Sequence, residues 1–237
     1  MTIADAIHAF HTQDLSFPML IRSFCSNDWL IPVMKEQPML QEMEEELILS
    51  LSSTSRIFDQ FHTEPEIQSM SVDFSWIFRN IPPDLDAIFI DLGTENSIQI
   101  PREYFNFCQN ILECHEIENI FQRNISELEL RQKLQDYPSF LIPLIEDENG
   151  VLHIALVPDN QNRSLAAVFT APDCLQAFQE ASQGKLGELK IDEVQGAKLF
   201  SDLNLLPLDG LVFNCYGPVQ AQAIGKELIR SLGTTIE

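Results

Sequence analysis

Along this chain, short apolar runs recur between segments of helical period and polar turns. Trp29-Leu30-Ile31-Pro32-Val33 is one such run and Phe140-Leu141-Ile142-Pro143-Leu144 is another. Each reads aromatic, then Leu-Ile-Pro, then aliphatic. Each follows a helix-like segment closed by a turn signal, Ser26-Asn27-Asp28 or Asp136-Tyr137-Pro138. A run of this length and composition predicts a strand, and the proline is expected at a sheet edge or strand end.

The order continues in parallel. The strand Leu47 to Leu51 is followed by Ser52-Ser53-Thr54 and a helix to Phe61. Its counterpart Leu165 to Phe169 is followed by Thr170-Ala171-Pro172-Asp173 and a helix to Phe178. Ser52, Ser53, Thr54 and Thr170 read as helix caps and not as nucleophiles, and Pro172 suits an early helix position. Phe74-Ser75-Trp76-Ile77-Phe78 then matches Ala197-Lys198-Leu199-Phe200 as a short amphipathic helix. Leu85 to Asp91 matches Leu208 to Asn214 as a turn leading into a strand, apolar enough to be buried on both faces. Both end in a polar residue and a glycine turn, Asp91-Leu92-Gly93 and Asn214-Cys215-Tyr216-Gly217, and both are expected to enter a final helix, near Pro101 and near Pro218.

Matches in one order at a near-constant offset point to duplication of a whole domain, because solenoid periods are far shorter. The expected division is 1–120 and 126–237, with the boundary near Asn119 to Ser126. The halves differ in one place. The second carries Glu146-Asp147-Glu148-Asn149-Gly150 ahead of the alternating strand Val151 to Leu156, a hairpin signal. The first has Gln41-Glu42-Met43-Glu44-Glu45-Glu46 there, so its hairpin is read as degraded or replaced, and the glutamate run as a solvated face.

Composition narrows the function. An apolar fraction of 45% with 16 Phe supports a packed core. The 14 Lys and Arg against 36 Asp and Glu give a net charge of -22, and no basic stripe exists to displace phosphate counterions. Nucleic acid and anionic membrane are therefore poor partners, and no apolar run is long enough to span a bilayer. The acidity serves solubility and suits a basic protein or peptide as partner. The N-terminal MTIADAIHAFHTQDL has no secretory pattern. Cys25, Cys108, Cys114, Cys174 and Cys215 are odd in number and scattered, which favours a reducing, cytoplasmic setting without disulfides.

The second half resembles the N-terminal domain of the SseB (enhanced serine sensitivity) family of bacterial proteins. The resemblance rests on Phe140 to Leu144, the hairpin at Asn149-Gly150, Ala167-Val168-Phe169-Thr170 before a helix, and Gly210-Leu211-Val212-Phe213-Asn214. It covers roughly residues 128–232 and, through the repeat, extends faintly to 18–112. The family's last strand runs into Asn-Pro, whereas here the chain reads Asn214-Cys215-Tyr216-Gly217-Pro218. The resemblance implies an α+β fold with no established enzymatic activity.

The chemistry-bearing residues are sparse. Cys114 and His115 are helix neighbours pointing about 100° apart, and Cys108 shares an apolar face with Ile111, Leu112 and His115. His8 and His11 lie one helical turn apart near Asp14, on a terminus expected to be mobile, and lack further ligands for a metal. Gly225-Lys226-Glu227 is read as lying inside a helix and lacks the rest of a phosphate loop. No cofactor is expected.

The fold expected is α+β, two similar domains, each a small mixed sheet covered by helices. The leading function is a non-enzymatic interaction module with an unidentified protein partner. The alternatives are a small-molecule binding protein or hydrolase working at the turn 214–218, and an acidic secretion-linked chaperone. The candidate binding residues are Asn214, Tyr216, Gly217 and Pro218, since ligands favour strand ends where a following helix offers free N–H groups. Tyr216 is the expected anchor.

Overall fold

Each apolar run of the sequence is a strand, and the strands form two small sheets in each half of the chain. The structure is a computed structural model that describes residues 1–237 except 81, 124, 183–185, 187 and 235–237. The chain divides into two units, Met1–Glu113 and Cys114–Glu237. The division falls inside one helix, ahead of the segment 119–126; Asn124 of that segment lies outside the described residues.

In unit 1, α1 (Ile3–His11) and α2 (Phe17–Cys25) lead into β1 (Asp28–Met34), β2 (Gln37–Pro38), β3 (Gln41–Met43) and β4 (Glu46–Leu51). Then follow α3 (Ser55–Phe61), β5 (Gln68–Asp73), α4 (Phe74–Asn80), β6 (Ala87–Ile90), β7 (Ile98–Pro101) and α5 (Phe105–Glu118), the helix in which the division lies. One sheet has the order β2-β1-β5. The other has the order β3-β4-β6-β7, with β4 and β6 parallel and the outer pairs antiparallel. The N-terminal segment is not the mobile tail expected. Thr2 and Asp5 form a capping box, and Ile3, Ala6 and Ile7 bury one face of α1 in the core.

Unit 2 repeats this plan. After α6 (Glu127–Asp136) come β8 (Phe140–Glu146), β9 (Leu152–Ile154), β10 (Leu156–Pro158), β11 (Ser164–Val168) and α7 (Pro172–Ala181). These are followed by β12 (Leu189–Val194), α8 (Gly196–Asn204), β13 (Gly210–Phe213), β14 (Gln222–Gly225) and α9 (Lys226–Gly233). The sheet orders are β9-β8-β12 and β10-β11-β13-β14, strand for strand those of unit 1. The fold is thus α+β, two similar small units.

The register explains the Leu-Ile-Pro signature. Leu30 exchanges both backbone hydrogen bonds with Ser52 at 2.9 Å, so alternate residues of β1 aim their polar groups to that side. Pro32 is the next such residue. Its carbonyl accepts from the Met39 N–H at 2.8 Å, and its missing N–H falls between the Ser52 bridge and the start of β2. Pro143 repeats this between the Leu141–Phe169 bridge and β9, accepting from Ala155 at 2.9 Å. The proline therefore sits within a central strand and not at an edge, at the point where the neighbour changes and no donor is needed.

The hairpins correct a second expectation. The segment 41–46 is a working hairpin in which Met43 faces Glu46 across Glu44 and Glu45, both at positive φ (50° and 74°). Lys35 and Glu36 (52° and 66°) make the same two-residue turn between β1 and β2. These have the backbone of tight type I′ turns, built without glycine or asparagine. Unit 2 uses longer loops instead. Asp147 accepts from the N–H groups of Asn149 and Val151, both at 2.9 Å, and Asp159 from those of Gln161 and Arg163 at 2.8 and 2.9 Å. The Val151 N–H, followed by the His153 side chain, holds the Asp147 carboxyl below its ordinary range, and the Arg163 N–H does the same for Asp159.

Candidate functional site

The parallel strand pair at the centre of each larger sheet is fastened at both ends by side chains. At the entry, Asp86 accepts the Leu47 N–H and Asp209 the Ser164 N–H, each at 2.8 Å. At the exit, Asp91 and Asn214 occupy equivalent positions with φ of 50° and 53°. Asp91 accepts the Ser53 N–H and the Ser53 hydroxyl, both at 2.7 Å. Asn214 accepts the Thr170 N–H at 3.0 Å and donates its Nδ2 to Thr170 Oγ1 at 2.9 Å. Burial pushes the Asp91 carboxyl above its ordinary range, against the pull of the Ser53 N–H and hydroxyl.

Asn214 and Thr170 belong to a larger buried network. The Thr170 hydroxyl is 3.1 Å from Glu118 Oε1, and His115 Nδ1 is 4.0 Å from Glu118 Oε2. The Thr170 carbonyl accepts from the Tyr137 hydroxyl at 2.7 Å and from Cys114 Sγ at 3.1 Å. Thr170 is therefore no helix cap. The cap position of α7 is Ala171, without a side-chain bond, and Pro172 opens the helix as expected. A hydroxyl beside a carboxylate and an imidazole has the composition of a nucleophilic triad, but the order is wrong, with the carboxylate between the hydroxyl and the ring. Thr170, Asn214 and Glu118 are buried, beyond reach of a substrate. The arrangement ties the ends of β11 and β13 to the Cys114–Glu118 turn that opens unit 2.

Of the four candidate binding residues, Asn214 is thus a buried latch. The Gly217 N–H closes the turn onto the Asn214 carbonyl at 3.1 Å. Pro218 does not start a helix: β14 intervenes, and α9 begins at Lys226, so the free helix N–H groups expected there are absent from this loop. Gly225 ends β14 and caps α9 and does not lie inside the helix. In unit 1, by contrast, Pro101 ends β7 and caps a turn, Arg102–Tyr104, that runs into α5, so the helix expected near Pro101 is present. Tyr216 and Pro218 are the two that reach solvent. Tyr216 carries the large side chain. It is 64% exposed, at φ 60°, with its ring centroid 6.3 Å from that of Phe178. The equivalent position in unit 1 is Gly93 (φ 73°), where an added Cβ would meet the Phe61 ring at 2.2 Å. A left-handed backbone is natural for glycine and costs a tyrosine about 1–3 kcal/mol.

No family model matches the chain, and no curated protein matches it. Among solved structures, Anabaena Tic22 (protein transport) is similar with a TM-score of 0.24 and 8% identity, over 81% of this chain and 88% of that one. A likeness at that level carries no argument here.

None of the five cysteines is in a disulfide. Cys108 and Cys215 are buried, and burial pushes both thiols up to about 12, which opposes thiolate chemistry. Among the described residues, no group of three or more His, Cys, Asp and Glu side chains is placed to hold a metal ion, and no helix is long and apolar enough to cross a membrane.

Proposed function

We propose that the chain is a non-enzymatic protein-interaction module whose contact loop is 214–218, with Tyr216 as its anchor. The observation that carries this reading is the tyrosine held in a left-handed conformation with its side chain in solvent, where the equivalent unit has glycine. Strain of that kind collects where a side chain is used, and an exposed tyrosine on a fixed turn suits an interface. Asn214 and Gly217 serve by fixing the turn, and Pro218 by stiffening it. The net charge of -22 favours a basic partner.

On the same reading, the two units descend from one duplicated domain related to the SseB N-terminal domain, and the chain works in the cytoplasm. Support for the duplication lies in the shared strand order, the paired Asp86/Asp209 and Asp91/Asn214 latches, and the shared Leu-Ile-Pro register. The test replaces Tyr216 with the photo-crosslinker p-benzoylphenylalanine in cells, with exposed Leu128 as the control position. A discrete adduct at 216 that is absent at 128, and a loss of co-purification in Tyr216→Gly without a fall in melting temperature, support the reading. Identical adducts at both positions, or unchanged co-purification, defeat it.

A further inference from the structure

We propose that unit 1 holds a binding cleft, between α4 and α5, for a small carboxylate with an apolar body. The cleft has a volume of about 340 Å³, within the usual range for small-ligand sites. Its apolar wall is made by Phe78 and Phe105, edge to face at 5.9 Å between centroids, with Leu85 and the Pro82-Pro83 pair that follows α4. The polar side comes from the start of α5 and the turn before it, where Arg102, Asn106 and Gln109 lie four and three residues apart and so share one side.

Unit 2 shows that the fold does not require this space. The register places Ile100 opposite Ile88 and Ile224 opposite Leu211, which aligns Arg102 with Lys226 and Gln109 with Gly233. In unit 2, Gly233 packs so closely on the Phe200 carbonyl that a Cβ would sit 2.7 Å from it, and α8 and α9 are in contact. Phe78 is the equivalent of Phe200 by the register of β5 and β12, which places Val72 opposite Trp29 as Val194 lies opposite Phe140. In unit 1 the glycine is replaced by a glutamine, prolines follow the shorter α4, and the two helices stand apart around the cleft.

Arg102 sets the ligand class. One guanidinium nitrogen donates to the Leu85 carbonyl at 3.4 Å, which orients the group. Among the described residues, no carboxylate pairs with it, although acidic side chains outnumber basic ones 36 to 14. A guanidinium fork beside an apolar wall binds a carboxylate bidentately while the rest of the ligand is desolvated. The amides of Asn106 and Gln109 supply further hydrogen bonds.

The probe is 3-phenylpropanoate, titrated into the full ¹⁵N-labelled chain and followed by amide shifts, with 3-phenylpropanamide as the neutral control. Expected are saturable shifts centred on Phe105, Asn106 and Gln109, and at least about tenfold weaker binding of the amide. Arg102→Gln should lose about the same factor at an unchanged melting temperature, and Gln109→Trp, which fills the cleft from its rim, should abolish the shifts. Absence of saturation up to about 10 mM, equal binding of acid and amide, or shifts centred elsewhere would each overturn the proposal.

Discussion

Replacing Asn214 with alanine tests whether the latch at the exit of β13 is structural. The substitution removes the acceptor of the Thr170 N–H and the donor to its hydroxyl, while Thr170 stays buried. The hydroxyl keeps Glu118 as a partner, so one orphan remains, the N–H, at about 1–3 kcal/mol. Alanine at φ 53° adds about 1–2 kcal/mol of left-handed strain. The expected loss is about 2–5 kcal/mol, a large part of a domain's stability. Urea unfolding should be followed by two probes. Both tryptophans, Trp29 and Trp76, lie in unit 1, so their fluorescence reports that unit, while far-ultraviolet circular dichroism reports both. Asn214→Gly loses the same hydrogen bonds but avoids the strain, so it should cost less than alanine by about 1 kcal/mol. If Asn214→Ala stays within about 0.5 kcal/mol of the parent, the buried bonds do not hold the strand end and the reasoning is refuted.

Three further outcomes follow from the same geometry. Asp91→Asn should stabilise unit 1 at neutral pH, because unit 2 already uses asparagine there. The folded protein binds the Asp91 proton more tightly than the unfolded chain does. The parent's stability therefore falls as pH rises from the unfolded value near 3.8 through the raised folded value, and urea midpoints of the variant across pH 3 to 8 should lack that fall. Tyr216→Gly should raise the unfolding midpoint by relieving the left-handed backbone, and a lower midpoint would mean that the packing on Phe178 outweighs the strain. Thiol labelling at pH 8 should leave Cys108 and Cys215 unmodified until unfolding, whereas rapid native labelling of either would contradict their burial.

What the sequence disclosed depends on which residues carried an apolar signal. The Leu-Ile-Pro strands and the runs ending at Asp91 and Asn214 were legible because both faces are buried and the residues are apolar throughout. The strands β5, β7, β12 and β14 were not. They are edge strands, and sequences such as Gln68 to Asp73 and Leu189 to Val194 place mostly polar residues outward, as a loop would. Overlooking β14 is what misplaced a helix at Pro218. The turn at Glu44-Glu45 was hidden because it adopts a glycine-type backbone without glycine. Asn214 could be read as a turn residue, but its partner Thr170 lies 44 residues away and only tertiary structure joins them. Arg102, Asn106 and Gln109 gave no motif, since what distinguishes them is the space in front of them.

The parallel pair in each larger sheet also has a kinetic meaning. A hairpin can close a tight turn early, but β4 can meet β6 only after residues 52–86 have been gathered between them, and β11 can meet β13 only after 169–209. Closing such a loop costs chain entropy before any contact repays it. The four latch residues stand at the ends of these pairs, so they act on one of the two long-range closures of each unit, the other being β1 with β5 and β8 with β12. Each unit thus repeats the same two long-range closures, and the latches hold the parallel one once it has formed.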